Sequence, residues 1–263
     1  MIAVQYSAAL PADWQLRPEA AAVFTIELDG DAASSPSERD LLDEGERVRA
    51  ARFQIPLLQR RYIAAHAALR RVLARALSLA PERVPIGVRS DGKPTLAGEL
   101  AGALWFNLSH SAGVAVVALS AIGELGVDVE EIHRLPDADD VAERVFTAGE
   151  RAAIERASST RCDRAFFAAW TRKEAYIKAT GEGLRAPLLD IQIDPESSSD
   201  ERAVLHGRGA STSEVGWRVL DLELVPGFAA ALAAPRGTAA VECYPYAAAD
   251  LRSRAESGAW CSR

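Results

Sequence analysis

The sequence predicts an α+β protein built from two similar halves, and three observations carry that reading. Each half offers a long helical pattern followed by three or more short apolar strands. Helix 57–79 precedes strands near 84, 104 and 114, and helix 163–179 precedes strands near 189, 217 and 228. A chain of 263 residues suffices for one large domain or two of ordinary size. Two carboxylates, Asp128 and Glu130, fall near the junction of the halves, inside the apolar run Gly126-Val127-Asp128-Val129-Glu130. No residue-level repeat accompanies the pattern. The expected division is 1–122 for an N-terminal α+β half, 123–243 for a C-terminal α+β half, and 244–263 for a peripheral tail.

The composition is that of a globular protein, 49% apolar and 25% charged. A net charge of −7 argues against general affinity for nucleic acid or an anionic membrane. Cys162, Cys243 and Cys261 are odd in number and lack any C-x-x-C or zinc-like spacing, as expected of free thiols in a reducing compartment. The N-terminus has no basic segment followed by a long apolar run, and no uncharged apolar stretch approaches ~20 residues. A soluble, cytoplasmic protein is expected.

Residues 23–28 read as the first strand, stopped by the turn Asp29-Gly30-Asp31. A helix over about 38–52 follows, with Ser35 or Ser37 as N-cap; from charge pattern alone its Arg47, Arg49 and Arg52 are a solvated face. Pro56 separates it from the long helix, where Ile63, Ala67, Leu69, Leu73, Ala76 and Leu77 recur at helical spacing and His66, among alanines, reads as packed. A strand at 84–89 runs into an Asp91-Gly92 turn, which would present Lys93 at a loop tip beside Pro94.

The strand at 104–111 ends in Asn107, Ser109, His110 and Ser111, groups that suit either a self-capped polar turn or an anion. Strands at 114–119 and 125–132 are joined by five residues, which favours an antiparallel pair and would bring that cluster to the carboxylates. Helices at 141–146 and 148–157 follow, the second with Thr147 and Glu150 in capping-box spacing, and Ser158-Ser159-Thr160 ends it. Beyond the helix at 163–179, strands are expected at 189–193, 217–224, 228–233 and 239–243, with 195–209 a loop.

Within a strand, Val127 and Val129 share one face while Asp128 and Glu130 share the other. Like charges so close raise each other's pKa, and a hard divalent cation would relieve the repulsion. A solvated acidic strand face is the alternative, and the usual meaning of an isolated D-x-E. In the helix at 163–179, Phe166, Phe167, Trp170 and Ile177 lie on one face with Glu174 and Lys178, and Lys173 at its edge. An i,i+4 Glu–Lys pair is worth only ~0.3–0.5 kcal/mol when exposed, and it does not explain ionisable groups among large aromatics.

Together, Asp128, Glu130 and Glu174 could hold Mg²⁺ while Lys93, His110, Lys173 and Lys178 neutralise phosphate. Transfer at phosphorus needs positioning and electrostatic stabilisation above all, so this set suffices. No G-x-x-x-x-G-K-[ST], G-x-G-x-x-G or G-x-S-x-G motif is present, which removes the commonest NTPase, dinucleotide and hydrolase readings.

Four motifs in order, Gly92-Lys93-Pro94, F-N-L-S-H-S at 106–111, G-V-D-V-E at 126–130 and W-x-x-K-E-A-x-x-K at 170–178, make the chain resemble the surfactin-type 4′-phosphopantetheinyl transferases over about residues 40–190. The resemblance implies a pseudo-dimer of two α+β halves with coenzyme A in the cleft between them. It implies Mg²⁺-dependent transfer of phosphopantetheine from coenzyme A to a serine of an apo acyl or peptidyl carrier protein, by a monomer with an internal pseudo-twofold. Asp128, Glu130 and Glu174 would bind the metal, Glu174 would also be the base, and Lys178 would meet the diphosphate, with Lys173 adding charge. Lys93, Asn107, Ser109, His110 and Arg49 would hold the nucleotide end. Glu46 stands where some members carry a basic residue, with Arg47 as its substitute. The alternatives are a non-catalytic coenzyme A or carrier-protein binding module, and a Mg²⁺ nucleotidyl or pyrophosphate transferase.

Overall fold

Strands that read V-A-V-V-A-L-S and F-A-A-A-L-A-A-P have no polar face, so each must lie between two layers. The computed structural model describes residues 2–29, 36–156, 162–183, 186–193, 201–202, 204–206 and 217–246. The Ser35 cap, the 158–160 break and the tail beyond 246 lie outside the described residues.

The first half runs β1 (Ala3–Tyr6), β2 (Ala20–Glu27), α1 (Pro36–Leu41), α2 (Glu44–Ala50), α3 (Pro56–Leu77), β3 (Ile86–Val88), β4 (Pro94–Leu96), β5 (Trp105–Ser111) and β6 (Val114–Ser120). The second runs β7 (Gly126–Glu131), α4 (Ala138–Val145), α5 (Ala148–Arg156), α6 (Cys162–Thr180), β8 (Ile191–Ile193), β9 (Glu201–Arg202), β10 (Val204–His206), β11 (Trp217–Leu222) and β12 (Phe228–Pro235), followed by β13 (Ala240–Tyr246).

The two sheets have the orders β1-β13-β2-β6-β5 and β7-β12-β11-β9. Apart from β1, which pairs only with β13, the opening strand of each half pairs antiparallel with the half's closing strand, which pairs antiparallel with the one before it, giving β2-β6-β5 and β7-β12-β11. A long helix and a small hairpin (β3–β4 or β8–β10) separate the first strand from the last two. The expected α+β halves therefore share one topology, although no residue-level repeat survives.

Alternation along the strands builds the layers. Ala21 and Val23 of β2 and Val114, Val116 and Ala118 of β6 face Val127 and Val129 of β7 and Ala230 and Leu232 of β12 in a core between the sheets. Their neighbours Phe24, Ile26, Val117 and Leu119 turn outward onto Ala65, Leu69 and Val72 of α3. On the far side Ala231, Ala233 and Val219 meet Ala175, Tyr176 and Ala179 of α6. The order is helix, sheet, sheet, helix.

Several expectations are corrected. The helix expected over 38–52 is two helices, because Asp43 and Glu46 form a capping box that starts α2 afresh. Residues 195–209 are not all loop, since β9 and β10 fall within them. The last strand, β13, is inserted between β1 and β2, parallel to both, so the end of the second half is tied into the first sheet. The expected β6–β7 pair does not form. β6 lies inside one sheet, between β2 and β5, and β7 is the edge of the other, where it pairs with β12. The five-residue link is used to cross between sheets.

β7 lies directly under α6. A Cβ on Gly126 would overlap the Ala175 carbonyl oxygen and the Ala179 nitrogen, both backbone atoms that no rotamer change can move. Gly126→Ala is expected to lower stability by about 1–3 kcal/mol or more through this overpacking. Urea unfolding measures it, and an unchanged midpoint would show that α6 is free to shift.

Candidate active site

The close approach at Gly126 fixes which α6 residues face β7. Asp128 and Glu130 point to the α6 side, opposite Val127 and Val129, and Lys178, one turn beyond Glu174, reaches Asp128. Lys178 Nζ donates to Asp128 Oδ1 at 2.6 Å and to Ser109 Oγ at 2.9 Å. Ser109 Oγ also donates to the same Oδ1 at 2.8 Å. The other Asp128 oxygen, Oδ2, is buried and has no hydrogen-bond partner among the described residues. A carboxylate oxygen in that state is costly unless something cationic or protic is brought to it.

The two sheets meet here along their edges. β5 and β7 form no main-chain ladder; instead the Val127 N–H donates to Asn107 Oδ1 at 2.9 Å. Ser111 Oγ donates to Glu130 Oε2 at 2.6 Å and accepts from the Glu131 N–H at 3.2 Å. Asn107, Ser109 and Ser111, alternate residues of one strand, thus bind three successive parts of β7. The expected proximity of the polar cluster and the carboxylates holds, by side-chain bridges in place of strand pairing.

The acids are electrostatically stressed. Burial pushes the Glu174 carboxyl above its ordinary value, and the charges of Asp128 and Glu130 push it further, with Lys178 opposing. Glu130 is raised in the same way, by burial and by Asp128, against the Ser111 hydrogen bond and the charge of Lys178. Among the described residues no three His, Cys, Asp or Glu side chains already form a metal cage as they stand. The donor chemistry nevertheless fits a hard divalent ion: three carboxylates share one field, and one oxygen lacks a partner.

The opposite face of β5 carries the second part of the site. His110 is exposed, and its imidazole is held below the ordinary value by the protein wall around it and by the charges of His66, Lys178 and Arg49. The exposed Arg49 carries its charge on α2 toward His110. The pair forms a basic rim open to solvent.

Other expected contacts fall elsewhere. Asn107 and Ser109 are buried against β7 and hold the acid side of the site. Lys93 follows the expected Asp91-Gly92 turn, yet it is buried rather than at a loop tip. Its Nζ donates to Glu124 Oε2 at 2.5 Å and to the Leu125 carbonyl at 3.0 Å, and burial lowers its pKa. Lys173 is turned a full residue step around α6 from Glu174, away from the acids. It makes an ion pair of 2.8 Å with buried Glu150 and donates to the Val145 and Leu188 carbonyls. In these contacts it fastens α4 and α5 to α6. Glu46 accepts from Arg70 and meets His66, and Arg47 bonds the Arg39 and Asp40 carbonyls, so both serve the α1–α2–α3 frame. Ser111 is the site residue the sequence reading left unassigned; its signal was the i+2 spacing from Ser109.

Residues 124–233 match the model of the 4′-phosphopantetheinyl transferase superfamily. That stretch holds Asp128, Glu130, Glu174 and Lys178. The chain is 37% identical over 153 residues to the 4′-phosphopantetheinyl transferase HetI of a Nostoc species, covering 58% of this chain and 64% of that protein. It is 42% identical over 111 residues to AcpT of Salmonella typhi, another 4′-phosphopantetheinyl transferase, covering 42% and 55%. To psf-1 of Bacillus pumilus, also a 4′-phosphopantetheinyl transferase, it is 32% identical over 139 residues, covering 53% and 58%. In each case less than two thirds of the relative's length is spanned. No helix among the described residues is long and apolar enough to cross a membrane.

Because the fold raises the pKa of Glu174 and Glu130, it binds their protons more tightly than the unfolded chain does. Stability of the metal-free protein therefore falls as pH rises from their ordinary 4.5 through the raised values. Glu174→Gln should stabilise the protein in chelator at neutral pH and flatten that slope. Urea midpoints across the range test this; an unaltered slope would mean Glu174 is solvated like a surface acid.

Proposed function

We propose that the chain is a phosphopantetheinyl transferase of the surfactin type. It moves 4′-phosphopantetheine from coenzyme A to a serine of an apo acyl or peptidyl carrier protein and releases adenosine 3′,5′-bisphosphate. The observation that carries this reading is the convergence of Asp128, Glu130, Glu174 and Lys178 between β7 and α6, with an unpartnered Asp128 oxygen at its centre. A module that only bound coenzyme A would gain nothing from three carboxylates beside a diphosphate, since they repel it.

Asp128, Glu130 and Glu174 would hold Mg²⁺, which when bound supplies charge neutralisation at the diphosphate. Glu174, with its raised affinity for protons, is suited to accept the serine proton, directly or through water. The serine oxygen then bonds the β-phosphorus while the bridging P–O bond breaks and the bisphosphate leaves. Lys178 would meet charge on the diphosphate. Asn107, Ser109 and Ser111 keep β5 and β7 in register so that the acids stay aimed. His110 and Arg49 would hold the 3′-phosphate on the open rim. We assign the two halves to 1–122 and 123–243, with β13 as the tie between them, and the setting to the cytoplasm of a monomer.

Asp128→Asn should abolish formation of holo-carrier from apo-carrier, coenzyme A and Mg²⁺, followed by mass spectrometry, while circular dichroism stays that of the wild type. Retained transfer would remove Asp128 from the metal site. His110→Ala should weaken coenzyme A about tenfold and 3′-dephospho-coenzyme A little, as befits one charge-assisted contact. Equal losses for the two nucleotides would reject the 3′-phosphate role.

A further inference from the structure

Lys178 is held where a metal ion would have to act. Its ammonium lies 2.6 Å from Asp128 Oδ1 and 2.9 Å from Ser109 Oγ, and Asp128 is almost fully buried. A buried carboxylate needs a cation, and Lys178 is the cation beside it. The same ammonium opposes the raised pKa of Glu130 and Glu174, so it acts on all three acids at once. The Lys178 side chain keeps 28% of its surface exposed, whereas Asp128 keeps 3%. The lysine can therefore swing out on a flexible four-carbon stem, and the aspartate cannot follow it.

We propose that Lys178 is an exchangeable cation: it neutralises Asp128 until a divalent ion takes that place, and the ion's arrival frees the ammonium for coenzyme A's diphosphate. This rests on the functional reading above and deepens it, by making metal binding the event that completes the phosphate site. The absence of a ready three-carboxylate cage follows, because one oxygen of Asp128 is already committed to the ammonium. Metal and coenzyme A are thereby coupled through one side chain, and the coupling is reciprocal. The charge balance supports it: three carboxylates hold the ammonium most strongly while no divalent ion is present, and the ion's two positive charges weaken that hold, so a diphosphate becomes the better partner for Lys178 once Asp128 is metallated.

Calorimetric titration of the full chain tests the exchange in two arms. Titrated with Mg²⁺ alone, Lys178→Met should bind about tenfold more tightly than the wild type, because no ammonium competes. Titrated with coenzyme A, the same variant should lose less than about threefold in chelator but about tenfold in saturating Mg²⁺. Lys178→Gln, which keeps a donor for Ser109 without the charge, should behave the same way and serves if the Met variant folds poorly. Unchanged or weaker Mg²⁺ binding by the variants, or equal loss of coenzyme A affinity with and without metal, would overturn the exchange. A wild type that bound neither Mg²⁺ nor coenzyme A would overturn the functional reading itself.

Discussion

Everything in the site depends on how closely α6 can approach β7, and that distance is set by Gly126. With no side chain at that position, the Ala175 and Ala179 turns of the helix rest on the strand backbone. The approach also fixes rotation: if Ala175 and Ala179 must face the strand, Glu174 and Lys178 flank the contact and stand over Asp128 and Glu130. Lys173 is turned to the other side, where it meets Glu150 and the ends of α4 and the Leu188 turn. One glycine thus decides which of the two neighbouring lysines serves the site and which serves the frame.

The second constraint is electrostatic. Gathering three carboxylates in a half-buried space opposes folding, and the protein offsets it locally with Lys178, Ser109 and Ser111. The frame is built the other way, from satisfied pairs: Arg70 with Asp43 and Glu46, Arg172 with Asp221, and Lys173 with Glu150. The contrast is informative because both arrangements occur in one chain of the same composition. Where charge is matched the structure is a scaffold; where three carboxylates share one cation and one oxygen lacks a donor, the geometry invites a ligand.

Much of this was legible from residue order. The period-2 alternation of G-V-D-V-E placed both valines in one core and both acids on the other face, and the helical period placed Glu174 and Lys178 together. What the sequence could not disclose were partners distant in the chain. Lys173 looked as available as Lys178 because its mate, Glu150, lies on another helix whose docking no local pattern encodes. Lys93 followed a recognisable turn, but its burial depends on Glu124, in the link between the sheets. The assignment of β6 and β7 to one hairpin failed because a short connection specifies proximity, not which sheet each strand joins. The insertion of β13 beside β2 depends likewise on a pairing over two hundred residues apart, which propensity cannot select.

β5 shows why the two parts of the site are separate and yet coupled. Its pleat sends Asn107, Ser109 and Ser111 to β7 and sends His110 to the other side, toward Arg49 and His66. The acid centre and the basic rim are therefore one residue apart along the backbone but on opposite faces of the strand. A ligand that touched both would have to cross the edge of β5. β5 is the edge strand of its sheet and forms no ladder with β7, so along this edge side-chain bridges from Asn107, Ser109 and Ser111, and not main-chain pairing, join the two sheets.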